Sequence, residues 1–341
     1  MMDTDKLLGL VSKLKQEEKK RDRDDHILIL DGLNTLIRAF SAVTTINSAG
    51  HHVGGLIGFL KAVGYTVRMF NPTRVVVAWD GRGGSRNRKN LNSNYKAQRE
   101  HASVIHWGMF DTKQEEMQAI WDQSDRLVDY LECLPVTYVR VDKLEADDII
   151  AYISRLASCR GHKVTIVSSD KDFLQLVDGN IQVYSPVKKV LYNYEEACKF
   201  LKVLPENHNI VKALVGDVSD NLRGVKGLGI KTITKLFPKL LEDPDCTLQY
   251  IYDTSAEQLH RKVCANILHE WNLVETNFKI MDLNSTVLDS TERAIVNELL
   301  KSPVPRLKIG PFMAFLNQDK IDGITKNTED WLASFNYLQN L

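Results

Sequence analysis

Five carboxylates stand close together between Val141 and Asp172: Glu145, Asp147, Asp148, Asp170 and Asp172. Asp147 and Asp148 open a stretch with helical apolar spacing (Ile149, Ile150, Ile153, Leu156), and Asp170 and Asp172 follow the β-rich run Val164–Val167. The acids therefore fall at a helix start and at the carboxyl end of a buried strand, the rim where ligands bind in open α/β sheets. Carboxylates this close resist shared ionisation unless positive charge sits among them. A hard divalent cation with oxygen ligands, such as Mg²⁺, meets that need. Capping is the competing explanation for the helix acids: Asp142 with Glu145 fits a capping box, and acids in a first turn suit the helix dipole. Capping does not explain the Asp-Lys-Asp after the strand.

The same pattern recurs upstream. Ile27–Leu30 is an apolar run ending in Asp31-Gly32, and Arg74–Trp79 is another ending in Asp80-Gly81. One Asp after a strand is an ordinary turn former. Asp31, Asp80 and Asp170 at the ends of three such runs put three acids on one rim of one sheet. Further on, Asp217 and Asp220 are spaced for one helical face.

Two stretches carry the opposite charge. Residues 82–99 hold Arg82, Arg86, Arg88, Lys89, Lys96 and Arg99 with no acid, in a setting too rich in Gly, Ser and Asn for a core. A basic loop beside an acidic rim is the electrostatic footprint of a polyanion backbone, although a solvated loop has the same composition. Residues 216–239 place Gly224, Gly227 and Gly229 before a helix starting near Ile230, with Arg223, Lys226, Lys231, Lys235 and Lys239 around them. Glycines let a backbone approach a phosphate or an ion. A nucleotide-binding glycine loop would follow a strand. This one lies between helices, a way to hold a DNA backbone without reading sequence.

The positioning elements read as alternating strands and helices to about residue 190 and as helices beyond. Helices are expected over 34–40, 54–67, 113–134 and 266–282, and further strands over 136–141, 181–184 and 190–192. The expected fold class is therefore α/β with a central, mostly parallel sheet, followed by a helical C-terminal domain. Length suits two domains: a polar extension (1–25) with a Leu7–Leu14 stripe, a sheet domain (26–190) and a helical domain (191–341). The stripe Trp331, Phe335, Leu338 reads as core. The 44 basic and 44 acidic residues balance, so only local charge speaks of partners. Five scattered cysteines without CxxC point to a reduced interior and no zinc site. No apolar run reaches membrane length, and the charged start does not read as a signal peptide. A cytoplasmic monomer is expected.

Taken in order, Asp31-Gly, Asp80-Gly, Glu145-Ala-Asp147-Asp148, Ser169-Asp170-Lys-Asp172, Gly216-Asp217-x-x-Asp220-Asn221 and GVKGLGIKT resemble the flap endonuclease/5′→3′ exonuclease family over about residues 26–240. The resemblance implies a PIN-like domain with a helix-three-turn-helix element near 210–240. It implies two Mg²⁺ ions, replaceable by Mn²⁺. Asp31, Asp80, Glu145 and Asp147 resemble ligands of the first; Asp170, Asp172 and Asp220 resemble ligands of the second; Asp148 and Asp217 resemble outer acids. Lys96 resembles a catalytic lysine and Arg99 a phosphate contact. The segment 82–134, with Arg82, Arg86, Arg88 and Lys89, is similar to an arch admitting a single-stranded 5′ end. The turn Gly224, Lys226, Gly227, Gly229, Lys231, Thr232 resembles a duplex-backbone site able to hold K⁺. Arg223 and Ile233 depart from the common Pro and Ala there. The implied activity is removal of RNA primers and 5′ flaps in DNA replication, on DNA with a 5′ flap or single-stranded 5′ end or on RNA–DNA hybrid. A sliding clamp and a single-strand-binding protein are the implied partners, the clamp through Leu7–Leu14. A catalytically silent DNA-binding protein and an RNA-processing PIN-type ribonuclease are the alternatives; a complete acid set speaks against the first and the basic turn against the second.

Overall fold

The computed structural model describes residues 25–97, 106, 108–284 and 288–340. The stripe Leu7–Leu14 and Arg99 lie outside the described residues. Strands β1 (His26–Asp31), β2 (Arg74–Trp79), β3 (Thr137–Arg140), β4 (Lys163–Val167), β5 (Ile181–Ser185) and β6 (Val190–Tyr192) form one sheet in the order β3-β2-β1-β4-β5-β6. Neighbours run parallel except β6, which is antiparallel to β5. The inner strands are Val/Ile/Leu runs because helices cover both faces. Leu30 lies level with Val77 on one side and Val167 on the other, which brings the carboxyl ends of β2, β1 and β4 to a common rim.

In the first half, α1 (Gly32–Ala42), α2 (Gly54–Phe70), α3 (Arg86–Leu91), α4 (Lys113–Leu131) and α5 (Ala146–Ser158) connect the strands. Beyond β6 come α6 (Tyr194–Leu201), α7 (His208–Val215), a two-residue hairpin of β7 (Gly216–Asp217) and β8 (Leu222–Arg223), and α8 (Ile230–Leu236). Then follow α9 (Leu248–Glu257), α10 (Lys262–His269), α11 (Trp271–Met281), α12 (Ser290–Lys301), α13 (Ile309–Gln318) and α14 (Thr328–Ala333). Successive β1 residues feed opposite faces, as a period of two requires. Ile27 and Ile29 join Ile150, Leu214, Ile233, Val274 and Val296 in one core. Leu28 and Leu30 join Phe40, Phe59, Leu127, Phe312, Trp331 and Phe335 in the other.

Several expectations change. The C-terminal stripe is core, but α13 and α14 return to the face covered by α1, α2 and α4 rather than staying with the helices before them: a Cβ on Gly64 would stand 2.0 Å from the Trp331 ring nitrogen. Within the stretch 82–134 read as an arch, α4 buries Ile120, Leu127, Tyr130 and Leu131 in that same core. The helix expected over 266–282 is two, α10 and α11, broken at Glu270, whose backbone (φ −103°, ψ 25°) caps both. Asp217 and Asp220 do not share a helical face. Gly216, at φ +80°, ends α7 and starts the hairpin that carries them, and Asn221 turns it at φ +58°.

Candidate active site

Asp31 leaves β1 and caps α1, accepting from the Asn34 N–H at 3.2 Å, while its other oxygen accepts from the Ser168 hydroxyl at 3.0 Å. It is 5% exposed. Burial, reinforced by Asp80 and Asp170, pushes its carboxyl up to about 7. Asp80 follows β2 and accepts from the Ala146 N–H at 3.0 Å, tying β2 to the first turn of α5; burial raises it as well. Asp147, in that turn, is pushed well above the carboxylate range by burial, with Asp170, Asp31 and Glu145 adding repulsion against the pull of Lys96.

Glu145 behaves oppositely. Burial alone would raise it, but Arg88 and Lys96 outweigh that and hold it low. Lys96 Nζ donates to Oε1 at 2.7 Å, and Oε2 accepts from Arg88 and, at 3.4 Å, from the Tyr95 hydroxyl. The Glu145 N–H donates to Asp148 Oδ2 at 3.2 Å, so the capping partner is Asp148. Asp142, expected in that role, instead accepts from the Arg82 N–H. Lys96 sits at φ +57°, and its own N–H donates to the Asp220 carbonyl at 3.0 Å, fastening the foot of the basic loop to the β7–β8 hairpin.

Beyond β4, the Asp170 N–H donates to the Ser168 hydroxyl at 3.1 Å, and the Asp172 N–H to Asp170 Oδ1 at 2.9 Å. Carboxylate oxygens of Asp172, Asp217 and Asp220 lie within 4.8 Å of one another. Lys212 of α7 contacts Asp172 and reaches Asp217 Oδ2 at 2.6 Å. Its effect on the two acids differs. Asp217, otherwise raised by burial, is held down to about 2 by Lys212 and by Ser219, which donates through both its N–H and its hydroxyl. Asp172 stays raised, to about 6, because burial and Asp170 outweigh the same cation.

The basic residues sort by burial. Arg82, Arg86 and Lys89 are exposed, as a polyanion contact requires, and Lys226 and Lys231 flank the glycine turn in the open. Arg88, expected as a nucleic-acid contact, is 9% exposed and faces inward, with three of its N–H donors on Glu145 and Asp148 and a fourth on the Ile280 carbonyl. The turn itself is tight. A Cβ on Gly224 would come within 1.9 Å of the Val215 carbonyl oxygen, Gly227 holds φ +88°, and the Thr232 N–H donates to the Gly229 carbonyl at 2.9 Å. Lys212 and Tyr95 went unread in the sequence. Lys212 is a single cation in the apolar run of α7, five residues before Asp217, and that is the signal it offers.

A cation fits this donor set. The contributors are hard carboxylate oxygens. Asp31, Asp80, Asp147 and Asp172 are all raised, by burial first and by neighbouring carboxylates second, so a cation among them would relieve both. Clustered rim carboxylates with exposed cations on either side suit a divalent cation held beside a polyanion backbone.

Comparison with known proteins agrees. The family of 5′-3′ exonuclease N-terminal resolvase-like domains matches residues 26–202. The 5′-3′ exonuclease of Bacillus subtilis is 32% identical over 222 residues, 62% of this chain and 70% of the relative. That of Aquifex aeolicus is 30% identical over 214 residues, 62% of this chain and 69% of the relative. Among solved structures, the bacteriophage T5 flap endonuclease in a pseudo-enzyme-product complex with DNA and metal ions superposes with a TM-score of 0.62 at 18% identity, covering 86% of this chain and 99% of that one. The chain belongs to the 5′-3′ exonuclease family.

Proposed function

We propose that the protein is a structure-specific 5′ nuclease: it hydrolyses phosphodiester bonds at 5′ flaps, at single-stranded 5′ ends and in RNA primers paired to DNA during replication. The observation that carries this reading is the rim itself, where raised carboxylates from β1, β2 and α5 stand with Glu145, which accepts from the Lys96 ammonium at 2.7 Å. Asp31, Asp80, Glu145 and Asp147 would hold one Mg²⁺ or Mn²⁺, and Asp170, Asp172 and Asp220 a second. When bound, such ions would supply an activated water and positive charge for the scissile phosphate and leaving oxygen. Lys96, whose N–H is bonded to the hairpin, would add an ammonium to that phosphate. Asp148 and Asp217 act one step back, through Arg88 and Lys212.

The exposed Arg82, Arg86 and Lys89, together with Arg99, steer the single-stranded 5′ end. Gly224, Lys226, Gly227, Gly229, Lys231 and Thr232 hold the duplex backbone, with K⁺ on the turn's carbonyls. Among the described residues no helix is long and apolar enough to cross a membrane. The same reading makes the protein a monomer of the cytoplasm, that of the host cell if it is viral. Docking on a sliding clamp through Leu7–Leu14, and on a single-strand-binding protein, belongs to the same reading.

The test is cleavage of a 5′-labelled duplex bearing a short 5′ flap, with Mg²⁺ and with EDTA, by the unmodified chain and by Asp170→Asn/Asp172→Asn. Metal-dependent cleavage near the junction, lost in the double variant, is the expected result. Tight flap binding without cleavage by the unmodified chain would overturn the reading in favour of a silent binding protein, and preference for free single-stranded RNA in favour of an RNA-processing ribonuclease.

A further inference from the structure

Arg88 has the chemistry of a nucleic-acid contact and the setting of something else. Its Nη2 donates to Asp148 Oδ1 at 2.7 Å, its Nη1 to Asp148 Oδ2 at 3.0 Å and to Glu145 Oε2, and its Nε to the Ile280 carbonyl at 2.9 Å. A guanidinium has five N–H donors, and four are used here, so a phosphate could be gripped only by breaking these bonds. The partners come from different parts of the chain. Arg88 stands on α3 at the foot of the basic loop, Glu145 and Asp148 at the start of α5, and Ile280 near the end of α11. Beside this junction Tyr95, Leu222, Ile280 and Met281 close a small apolar cluster, which adds the β7–β8 hairpin to the same assembly.

We propose that Arg88 is a positioning residue for the metal centre. Its planar fork fixes Asp148 and one oxygen of Glu145 against the end of α11 and so presents the other oxygen, Oε1, at the rim beside Lys96. The inference rests on reading the rim acids as a metal site. A glutamate has three rotatable side-chain bonds, and without a fork its carboxylate would be spread over several rotamers, most of them useless as a ligand. A lysine would supply the charge but not the geometry, because an ammonium is a point charge and cannot grip a carboxylate with two parallel bonds while holding a carbonyl.

The experiment uses the full chain with Arg88→Lys and Arg88→Gln. Mn²⁺ binding is measured by electron paramagnetic resonance without DNA, flap-duplex affinity in EDTA across a salt series, thermal unfolding in EDTA, and the Mg²⁺ dependence of cleavage. Both variants should weaken Mn²⁺ binding about ten- to a hundredfold, the range for partners of metal ligands, with Lys giving no rescue, and should raise the Mg²⁺ needed for half-maximal cleavage. Flap affinity in EDTA and its salt slope should stay unchanged. Lower flap affinity with a salt slope smaller by about one and unaltered Mn²⁺ binding would make Arg88 a phosphate contact. Lower thermal stability with unaltered Mn²⁺ binding would make it merely structural. Either overturns the proposal, as does full Mn²⁺ affinity in Arg88→Lys. If neither variant folds, Asp148→Asn weakens the grip while leaving Glu145 and Ile280 in place, and unchanged Mn²⁺ affinity there overturns the proposal too. Mn²⁺ binding by the unmodified chain without flap cleavage would sink the nuclease reading and leave the role of Arg88 to be judged on the Mn²⁺ measurements.

Discussion

Replacing Lys212 by Met removes a buried cation while keeping most of its volume. The ammonium contacts Asp172 and stands 2.6 Å from Asp217, with a side chain 10% exposed. At an effective dielectric of about 20, one such pair attracts by about 6 kcal/mol. Desolvation cancels much of that, and removing one member of a buried pair costs about 3–5 kcal/mol net. At about 2–4 °C per kcal/mol for a domain of this order, unfolding in EDTA near pH 7.5 should fall by about 6–20 °C. The pH dependence follows from Asp217, which Lys212 holds at about 2 against an ordinary 3.8. A depressed carboxylate contributes stability above the unfolded value, and that stability is lost as pH falls through the folded one. The deficit of the variant should therefore be largest above neutral pH and shrink as pH falls, first as Asp172 (about 6) takes up its proton and then towards pH 2. Mg²⁺ should narrow it, because a divalent cation offsets the two exposed charges. Scanning calorimetry of both proteins, in EDTA and over a Mg²⁺ series, checks this. Equal stability in EDTA, or a deficit that Mg²⁺ leaves untouched, would refute the view that Lys212 offsets the charge of Asp172 and Asp217.

Mg²⁺ binding should release protons near pH 6.5, from Asp31 (about 7), from Asp172 (about 6) and from Asp147, which burial holds well above the carboxylate range; calorimetry in two buffers of different ionisation enthalpy reads this, and buffer-independent heats at pH 6.5 would contradict it. Gly224→Ala forces a Cβ to 1.9 Å from the Val215 carbonyl oxygen, whereas Gly229 has nothing within 4 Å. The first should cost about 2 kcal/mol or more in urea unfolding and the second at most about 0.5, so weakened duplex binding by Gly229→Ala would report close approach of a phosphate backbone. Trp331→Ala should cost about 3–5 kcal/mol, since that ring is 3% exposed and lies against Phe312 and Phe335; a loss below about 1 kcal/mol would mean that α13 and α14 dock loosely.

The rim was legible in the sequence because it is written in local order: an apolar run that can only be a buried strand, then an acid where the strand leaves the sheet. Asp31, Asp80 and Asp170 needed no knowledge of strand order, since parallel strands in one sheet end on one side. The fate of Arg88 was not legible. It sits in a run of cations of uniform composition, and inward or outward orientation is decided by Glu145, Asp148 and the Ile280 carbonyl, partners 57, 60 and 192 residues away. Lys212 was hidden for the opposite reason, as a lone charge in an apolar helix whose partners Asp172 and Asp217 had already been assigned to something else. Asp217 and Asp220 were paired correctly as neighbours but placed on the wrong element, because spacing of three suits a helix and a tight hairpin alike. Gly216 at positive φ decides for the hairpin.

The acids of the site fall into two electrostatic groups, and the division follows the buried cations. Glu145 and Asp217 are held low, and Asp148 is gripped by the same guanidinium that lowers Glu145. Asp31, Asp80, Asp147 and Asp172 are raised. If the site merely needed neutralising, nearby lysines could have been placed against all of them. Instead Arg88 and Lys212 sit behind the rim, while Lys96 stands at its edge, 17% exposed along its side chain. Arg88 and Lys212 hold Glu145 and Asp217 low, while burial, with repulsion added, keeps Asp31, Asp80, Asp147 and Asp172 raised and leaves at the rim a demand for positive charge. That demand can be met by protons or by metal ions, and a phosphodiester brought to the rim needs the metal ions there. The arrangement therefore makes metal binding pH-dependent while leaving the ligand geometry pH-independent. The two properties separate in an experiment: proton release should fall as pH rises from 6.5 to 8.5, and the loss of Mn²⁺ affinity in Arg88→Gln should persist at full size at the upper end.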